Sequence, residues 1–366
     1  MLPCPKPLKS SSPYITLERA WRQRGVPELC SEGSWIVNIG AAWQGSSSLQ
    51  RDQNGKEVKA VGVDSAWAVM EWARNNHCPH VHAVAWEANV IKLKGLENVK
   101  LVKFNNDSKI VLVGGLATPA SIAAAPELAP PLESRPRPHL LKVDIDSIDL
   151  IVVSACLRRF RPHLLVVEVN NFTPLPLDFA ALYPTDAERA EKAPRYGSGY
   201  NGGNGKWPCW GASFGWWVRW LAQRHRYRLV TTDHNNNALF AAMEDEARPS
   251  VPKALGNFSD SAWCHYGMTV TELWRLRLCR RTDGNCAFRK RLRFPKMAPT
   301  SDEVAAHLTA FTPLLTPAVR SIYRMCDFSN VPFSLRMPNG ECCPGAQPGQ
   351  LGNGTYCRCS AMGDGF

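Results

Sequence analysis

From about Ser34 to Met243, short apolar runs alternate with stretches of helical spacing, the alternation that βαβ units leave when they build a parallel sheet. Five runs are predicted as its strands: Trp35–Ile39, Ala60–Asp64, Val99–Phe104, Leu140–Ile145 and Leu164–Val169. The near-continuous apolar character of Leu164–Val169 is what a strand covered on both faces needs. A last pair, Tyr227–Thr231 and Ala238–Ala242, flanks Asp233-His234-Asn235-Asn236-Asn237, a separation that suits an antiparallel hairpin. Ahead of it, Phe214, Trp217, Val218 and Leu221 fall at i, i+3, i+4 and i+7, one apolar stripe read as core packing.

Two inserts interrupt the pattern. Residues 117–139 are Ala/Pro-rich, with room for one short helix between proline breaks. Residues 197–211 are Gly/Asn-rich and costly to order, a candidate lid. Residues 1–15 are Pro- and Ser-rich, and Thr16–Arg24 reads as a short helix stopped by Gly25 and Pro27. After about residue 246 periodicity fades, apart from helix-like stretches near 260–280 and 301–326; residues 327–366 read as irregular. The predicted division is an arm at 1–30, an α/β domain at 31–245 and a basic, Cys-rich extension at 246–366.

At 366 residues, 45% hydrophobic and 20% charged, the chain is neither a disulfide mini-protein nor a disordered segment. No run reaches the roughly 18 to 20 apolar residues of a membrane span. The net charge of +11 is concentrated in residues 271–296, where nine Lys/Arg face two acids. Such a segment is a solvated basic face, an intracellular address or a contact for an anionic partner; no nucleic-acid motif accompanies it. Of 13 cysteines, eight are spread singly from Cys4 to Cys286, as buried thiols are, and five crowd the tail at Cys326, Cys342, Cys343, Cys357 and Cys359. The tail lacks CxxC spacing, and a disulfide knot there requires an oxidising compartment. Sequons at Asn106, Asn171, Asn257 and Asn353 allow a lumenal location, but the first residues lack a signal-peptide apolar core and the expectation is the cytoplasm.

The first strand ends in Asn38-Ile39-Gly40-Ala41-Ala42-Trp43-Gln44-Gly45, small residues that let the backbone turn sharply and approach a ligand. Asp64 ends the second predicted strand 24 residues past Gly40, a distance at which an acid can accept both ribose hydroxyls of a nucleoside. An ordinary tight turn, with Asp64 capping a helix at Ser65, is the plainer alternative. Leu140–Ile145 then delivers Asp144, Asp146 and Asp149 to a strand end, with Asp144 and Asp146 on one side of it. Leu164–Val169 likewise ends in Glu168, Asn170 and Asn171. Acids gathered this way are solvated, paired, capping helices or bound to a cation.

Leu140-Leu141-Lys142-Val143-Asp144-Ile145-Asp146-Ser147-Ile148-Asp149, followed by Pro162-His163-Leu164-Leu165-Val166-Val167-Glu168-Val169-Asn170, resembles the FkbM-type methyltransferases, class I S-adenosylmethionine-dependent enzymes. That family carries L-K-(I/V)-D-(V/I)-E-G-x-E and opens with D-(I/V)-G-A-N-x-G. Lys142 and Asp144 match, Asp146 and Asp149 stand where the family has acids, and Ser147 replaces the glycine. In the opening, Asn38 stands for the acid, Ala42 for the asparagine, and Gly45 comes one place late. The likeness covers roughly residues 34–243.

The resemblance implies a Rossmann-like sheet of seven strands, mostly parallel with the last antiparallel, and S-adenosylmethionine as cofactor. It implies Asn38, Gly40, Ala41 and Gly45 under that cofactor, Asp64 on its ribose and Asp107 near its adenine. Asp144, Asp146 and Glu168 would line the transfer cleft, with a carboxylate taking the proton from the hydroxyl of a small-molecule or glycan acceptor. No metal site is implied. Two other readings stand beside it. Asp144-Ile145-Asp146 is also a D-x-D, the pattern with which nucleotide-sugar glycosyltransferases hold a divalent cation. The altered glycine turn also allows a degenerate methyltransferase fold kept for binding, though an intact Asp64 and the acidic strand ends argue against complete decay.

Overall fold

The computed structural model describes residues 29–243 except 42–48, 52–56, 60–64, 76–77, 79, 104–106, 108, 132, 134–135, 146–147, 171–177, 182–210 and 233–236, together with 333–336, 347–351 and 354–358. The expected Thr16–Arg24 helix, strand Ala60–Asp64, the 197–210 stretch of the lid, the sequons, the 271–296 basic segment and the helices near 260–280 and 301–326 lie outside them.

In chain order the elements are β1 (Trp35–Ile39), β2 (Leu49–Arg51), β3 (Glu57–Lys59), α1 (Ser65–Asn75), β4 (His82–Glu87), α2 (Val90–Lys103), β5 (Ile110–Gly114) and α3 (Pro119–Ala124). They continue with β6 (Leu140–Val143), α4 (Asp149–Arg159), β7 (Leu164–Glu168), β8 (Asp178–Ala181), α5 (Phe214–His225), β9 (Tyr227–Thr232) and β10 (Asn237–Ala242), then β11 (Phe333–Arg336), β12 (Gln347–Leu351) and β13 (Gly354–Arg358). Seven strands form one sheet in the order β5-β4-β1-β6-β7-β10-β9. Pairs β1–β4, β1–β6 and β4–β5 are parallel, and β9 and β10 are an antiparallel hairpin. The chain winds outward from β1 through β4 to β5, then crosses to β6 and β7. That is the doubly wound, Rossmann-like order, with its switch point between β1 and β6. The expected fold class and the closing hairpin are found.

Packing divides the described residues into two units, one holding those of 29–145 and 152–166, the other 148–151 and those from Val167 on. In the first, every residue of β1 and β6 is buried, as interior strands of a parallel sheet require. Trp35 sets its ring edge against Phe160, 5.6 Å between centroids. In the second, Ser213 caps α5 by accepting the Trp216 amide, and the stripe Phe214, Trp217, Val218 and Leu221 is buried as expected. Arg226 ends the helix in the left-handed conformation at φ 57°. A second sheet in this unit runs β12-β13-β11-β8.

Four expectations are corrected. Val99–Phe104 is not a strand: residues through Lys103 belong to α2, whose start is capped by Asn89 Oδ1 accepting the amides of Ile91 and Lys92 at 2.9 and 3.1 Å. Two strands, β4 and β5, stand where none was expected. The tail is not wholly irregular, because β11 pairs with β8 and β13. Finally, Cys30 and Cys78 are not separate thiols but a disulfide that ties the turn before β1 to the residues after α1. Cys156 is a buried thiol whose pKa burial pushes up to about 12, so it stays protonated and unreactive. Among the described residues no helix is long and apolar enough to cross a membrane.

Candidate active site

In an open α/β sheet, ligands bind beyond the C-terminal strand ends at the switch point. Here those ends bring Asn38, Gly40, Ala41, Glu87 and Asp144 to one edge of the first unit. β1 registers Ile39 against Trp86 on one side and against Val143 on the other. The chain then turns at Gly40 with φ +79°, and the Asp144 amide donates to the Ile39 carbonyl at 3.0 Å. A Cβ at position 40 would lie 1.8 Å from the Asp144 carbonyl oxygen, so glycine is required both for the conformation and for the close approach. Trp86 closes the turn from the other side. Its carbonyl accepts the Gly40 and Ala41 amides at 2.9 and 3.0 Å, and its indole donates to the Gly115 carbonyl at 2.7 Å.

Glu87 is a second acid, beside Asp144, that the described residues bring to this edge. It ends β4, it is buried, and one carboxylate oxygen accepts the Asn89 amide at 2.6 Å. Burial raises its pKa, while the Asn89 amide and the Lys92 and Lys142 cations pull the other way. Sequence reasoning missed it. The signal was present, an apolar run His82–Trp86 ending in an acid with a helix-capping Asn89 behind it, but the Ala60–Asp64 run offered the same pattern at the expected interval. β1's two neighbours in the sheet are β4 and β6.

On β6, Lys142 is buried and its Nζ binds Asp144 Oδ2 at 2.9 Å, both side chains lying on the same side of the extended chain. Asn38 is the register partner of Lys142 and is buried as well. The ammonium beside Asp144 works against a divalent cation there by like-charge repulsion, which weakens the D-x-D reading. Asp146, Gly45 and Asp64 lie outside the described residues. Asp107 is exposed and opens the turn into β5, where its carboxylate accepts the Lys109 amide at 2.9 Å. It therefore stands at the N-terminal end of β5, across the sheet from the edge that holds Gly40 and Glu87.

The second unit holds Glu168. It is buried at the end of β7, and its carbonyl accepts the Trp217 indole at 3.0 Å. Around it, Asn170 donates to the Ala212 carbonyl at 2.9 Å, Ser213 Oγ accepts the Phe179 amide at 2.9 Å, and buried Asp178 pairs with Arg219. Asp178, Ser213 and Arg219 carried no signal along the sequence, since only the pairing of β8 with β11 and the seating of α5 bring them to the end of β7.

No family model and no curated protein matches the chain. Among solved structures, it is similar to one assigned as a sarcosine dimethylglycine methyltransferase from Galdieria sulphuraria, at 12% identity and a TM-score of 0.32, over 81% of this chain and 80% of that one. It is also similar to the glycopeptide N-methyltransferase MtfA complexed with sinefungin, at 10% identity and a TM-score of 0.30, over 66% of this chain and 90% of that one. At TM-scores of this size neither likeness bears on function.

Proposed function

We propose that the chain is a class I S-adenosylmethionine-dependent methyltransferase acting on a hydroxyl of a small-molecule or glycan acceptor. One observation carries the reading. A buried strand-end carboxylate, Glu87, sits beside an obligatory glycine turn at the switch point of a doubly wound sheet closed by an antiparallel hairpin. The donor set fits a ribose, because a carboxylate fixed by a backbone amide keeps acceptor capacity for two hydroxyls. Glu87 holds the ribose, Gly40 and Ala41 carry the chain under the cofactor, and Asn38 supports that turn from within β1. Gly45 and Asp64 are the further cofactor contacts the resemblance assigns. S-adenosylmethionine, when bound, supplies an electrophilic methyl group on a sulfonium. The protein's part is to orient the acceptor, exclude water and receive the hydroxyl proton, the role assigned to Asp144, Asp146 or Glu168.

A second reading draws on the same turn. The Gly40 and Ala41 amides both donate to Trp86, so they are engaged within the fold, which suits a degenerate site that binds without turning over. Calorimetric titration of the full chain with S-adenosylmethionine and S-adenosylhomocysteine, beside Glu87→Gln and Asp64→Ala, tests both. Saturable binding lost in Glu87→Gln supports the assignment. Loss in Asp64→Ala alone moves the ribose contact to Asp64. A folded protein that binds neither ligand at millimolar concentration refutes the methyltransferase reading, and binding without methyl transfer to any hydroxyl acceptor favours the degenerate fold.

A further inference from the structure

The first turn of α2 leaves its apolar residues in water. Ile91 is 82% exposed and Val90 65%, and Leu116, just past β5, is 42% exposed. These three are the only large hydrophobic side chains so exposed among the described residues. The end of β5 adjoins the start of α2, because the Gly115 amide donates to the Glu87 carbonyl at 3.2 Å and a Cβ on Gly114 would touch the Leu93 side chain at 2.8 Å. The helix has its own buried side elsewhere, at Leu96, so the exposed tip is not a misplaced core stripe. Lys92 and Lys94 are exposed beside the tip, and α2 carries four lysines against the single acid Glu97.

A small apolar tip flanked by two exposed lysines suits an anionic bilayer: the hydrocarbon enters the headgroup boundary and the ammonium groups meet lipid phosphates and carboxylates. A protein partner of ordinary interface size would need a wider apolar centre with its charges at a distance. We propose that the α2 tip, with Val90, Ile91 and Leu116 inserted and Lys92 and Lys94 at the headgroups, docks this protein on an anionic membrane surface. The inference goes beyond the cofactor reading and does not depend on it, since vesicle binding requires neither cofactor nor acceptor.

The test is co-sedimentation of the full chain with phosphatidylcholine vesicles, with and without phosphatidylserine, at low and high salt. The expected result is binding only to the phosphatidylserine vesicles, weakened by salt. Ile91→Asp should lower that affinity by about tenfold or more, the loss of one inserted aliphatic side chain. An acid in the first turn of a helix is compatible with the fold, because the helix N-terminus favours negative charge. Lys92→Gln with Lys94→Gln should lower it by roughly fivefold for each charge removed. Circular dichroism confirms that each variant is folded. Absence of binding to phosphatidylserine vesicles at low salt overturns the proposal. So does equal binding by wild type and Ile91→Asp, which would assign the attraction to another basic segment such as 271–296. A dimer that Ile91→Asp converts to monomer, without lipid binding by either, also overturns it and makes the tip a self-association site.

Discussion

Gly40 separates two costs that a glycine substitution usually mixes. Alanine at this position must adopt φ +79°, which costs an L-residue about 1–2 kcal/mol. It must also place a Cβ 1.8 Å from the Asp144 carbonyl oxygen and 2.6 Å from its carbonyl carbon, both backbone atoms that cannot swing aside. Relieving the overlap moves the end of β1 away from β6. That costs about 1–3 kcal/mol in packing strain, and about 1 kcal/mol more if the 3.0 Å bond from the Asp144 amide to the Ile39 carbonyl is lost. The expected destabilisation by Gly40→Ala is about 3–6 kcal/mol, a large share of the 5–15 kcal/mol that holds a typical domain. Two other glycines calibrate it. Gly115 has φ +118° with nothing near its would-be Cβ, so Gly115→Ala should show conformational strain alone, about 1–2 kcal/mol. Gly95 lies in α2 with open space around it, so Gly95→Ala should stabilise by about 0.5–1 kcal/mol. Urea denaturation followed by circular dichroism, at unchanged slope, gives all three. If Gly40→Ala falls within 1 kcal/mol of Gly115→Ala, the close approach of β1 to β6 is not what fixes glycine at the turn.

Other outcomes follow from the same geometry. Because burial raises the Glu87 pKa, the native state holds its proton more tightly than the unfolded chain; stability should fall as pH rises from the ordinary carboxylate range through the folded pKa. Glu87→Gln should flatten that part of the pH–stability curve while weakening S-adenosylhomocysteine binding by about 10- to 100-fold, both read from denaturation and calorimetry across pH. The Cys30–Cys78 disulfide spans 48 positions, for which loop entropy gives about 4 kcal/mol, so reduction or Cys30→Ser/Cys78→Ser should lower the denaturation midpoint; an unchanged midpoint would show that the bond constrains nothing. Trp217→Ala, which empties the buried face of α5 and removes the indole bond to the Glu168 carbonyl, should cost about 3–5 kcal/mol and disturb the end of β7. Breaking the Lys142–Asp144 pair with Lys142→Met should cost about 1–3 kcal/mol, less than a fully buried pair because Asp144 keeps partial access to water.

What could be read along the chain divides along a physical line. β1, β6, β7 and the closing hairpin were legible because strands buried on both faces leave unbroken apolar runs. The α5 stripe was legible because a helix packed on one side repeats at 3.6 residues. Val99–Phe104 shows where a short apolar run stops being decisive: four or five apolar residues fit a strand or a last helical turn equally. The deciding information lay ten residues upstream, where Asn89 caps α2. Of the tail strands, β12 had no local signal at all. Gln347–Leu351 reads Gln-Pro-Gly-Gln-Leu, poor in strand formers, and becomes a strand only through its partner β13. The disulfide was hidden for the same reason, since only the return of the chain after α1 brings Cys78 to Cys30. The candidate site falls between these cases. Its chemistry, a strand-end acid beside a glycine turn, is a local pattern and was recognisable, but two runs in the chain carry that pattern. Glu87 reaches the turn through strand register, Ile39 against Trp86, a long-range choice made by the packing of β4 into the sheet rather than by the residues around the acid. A strand-end acid is thus a local feature of the sequence, whereas its placement beside Gly40 is a product of strand pairing.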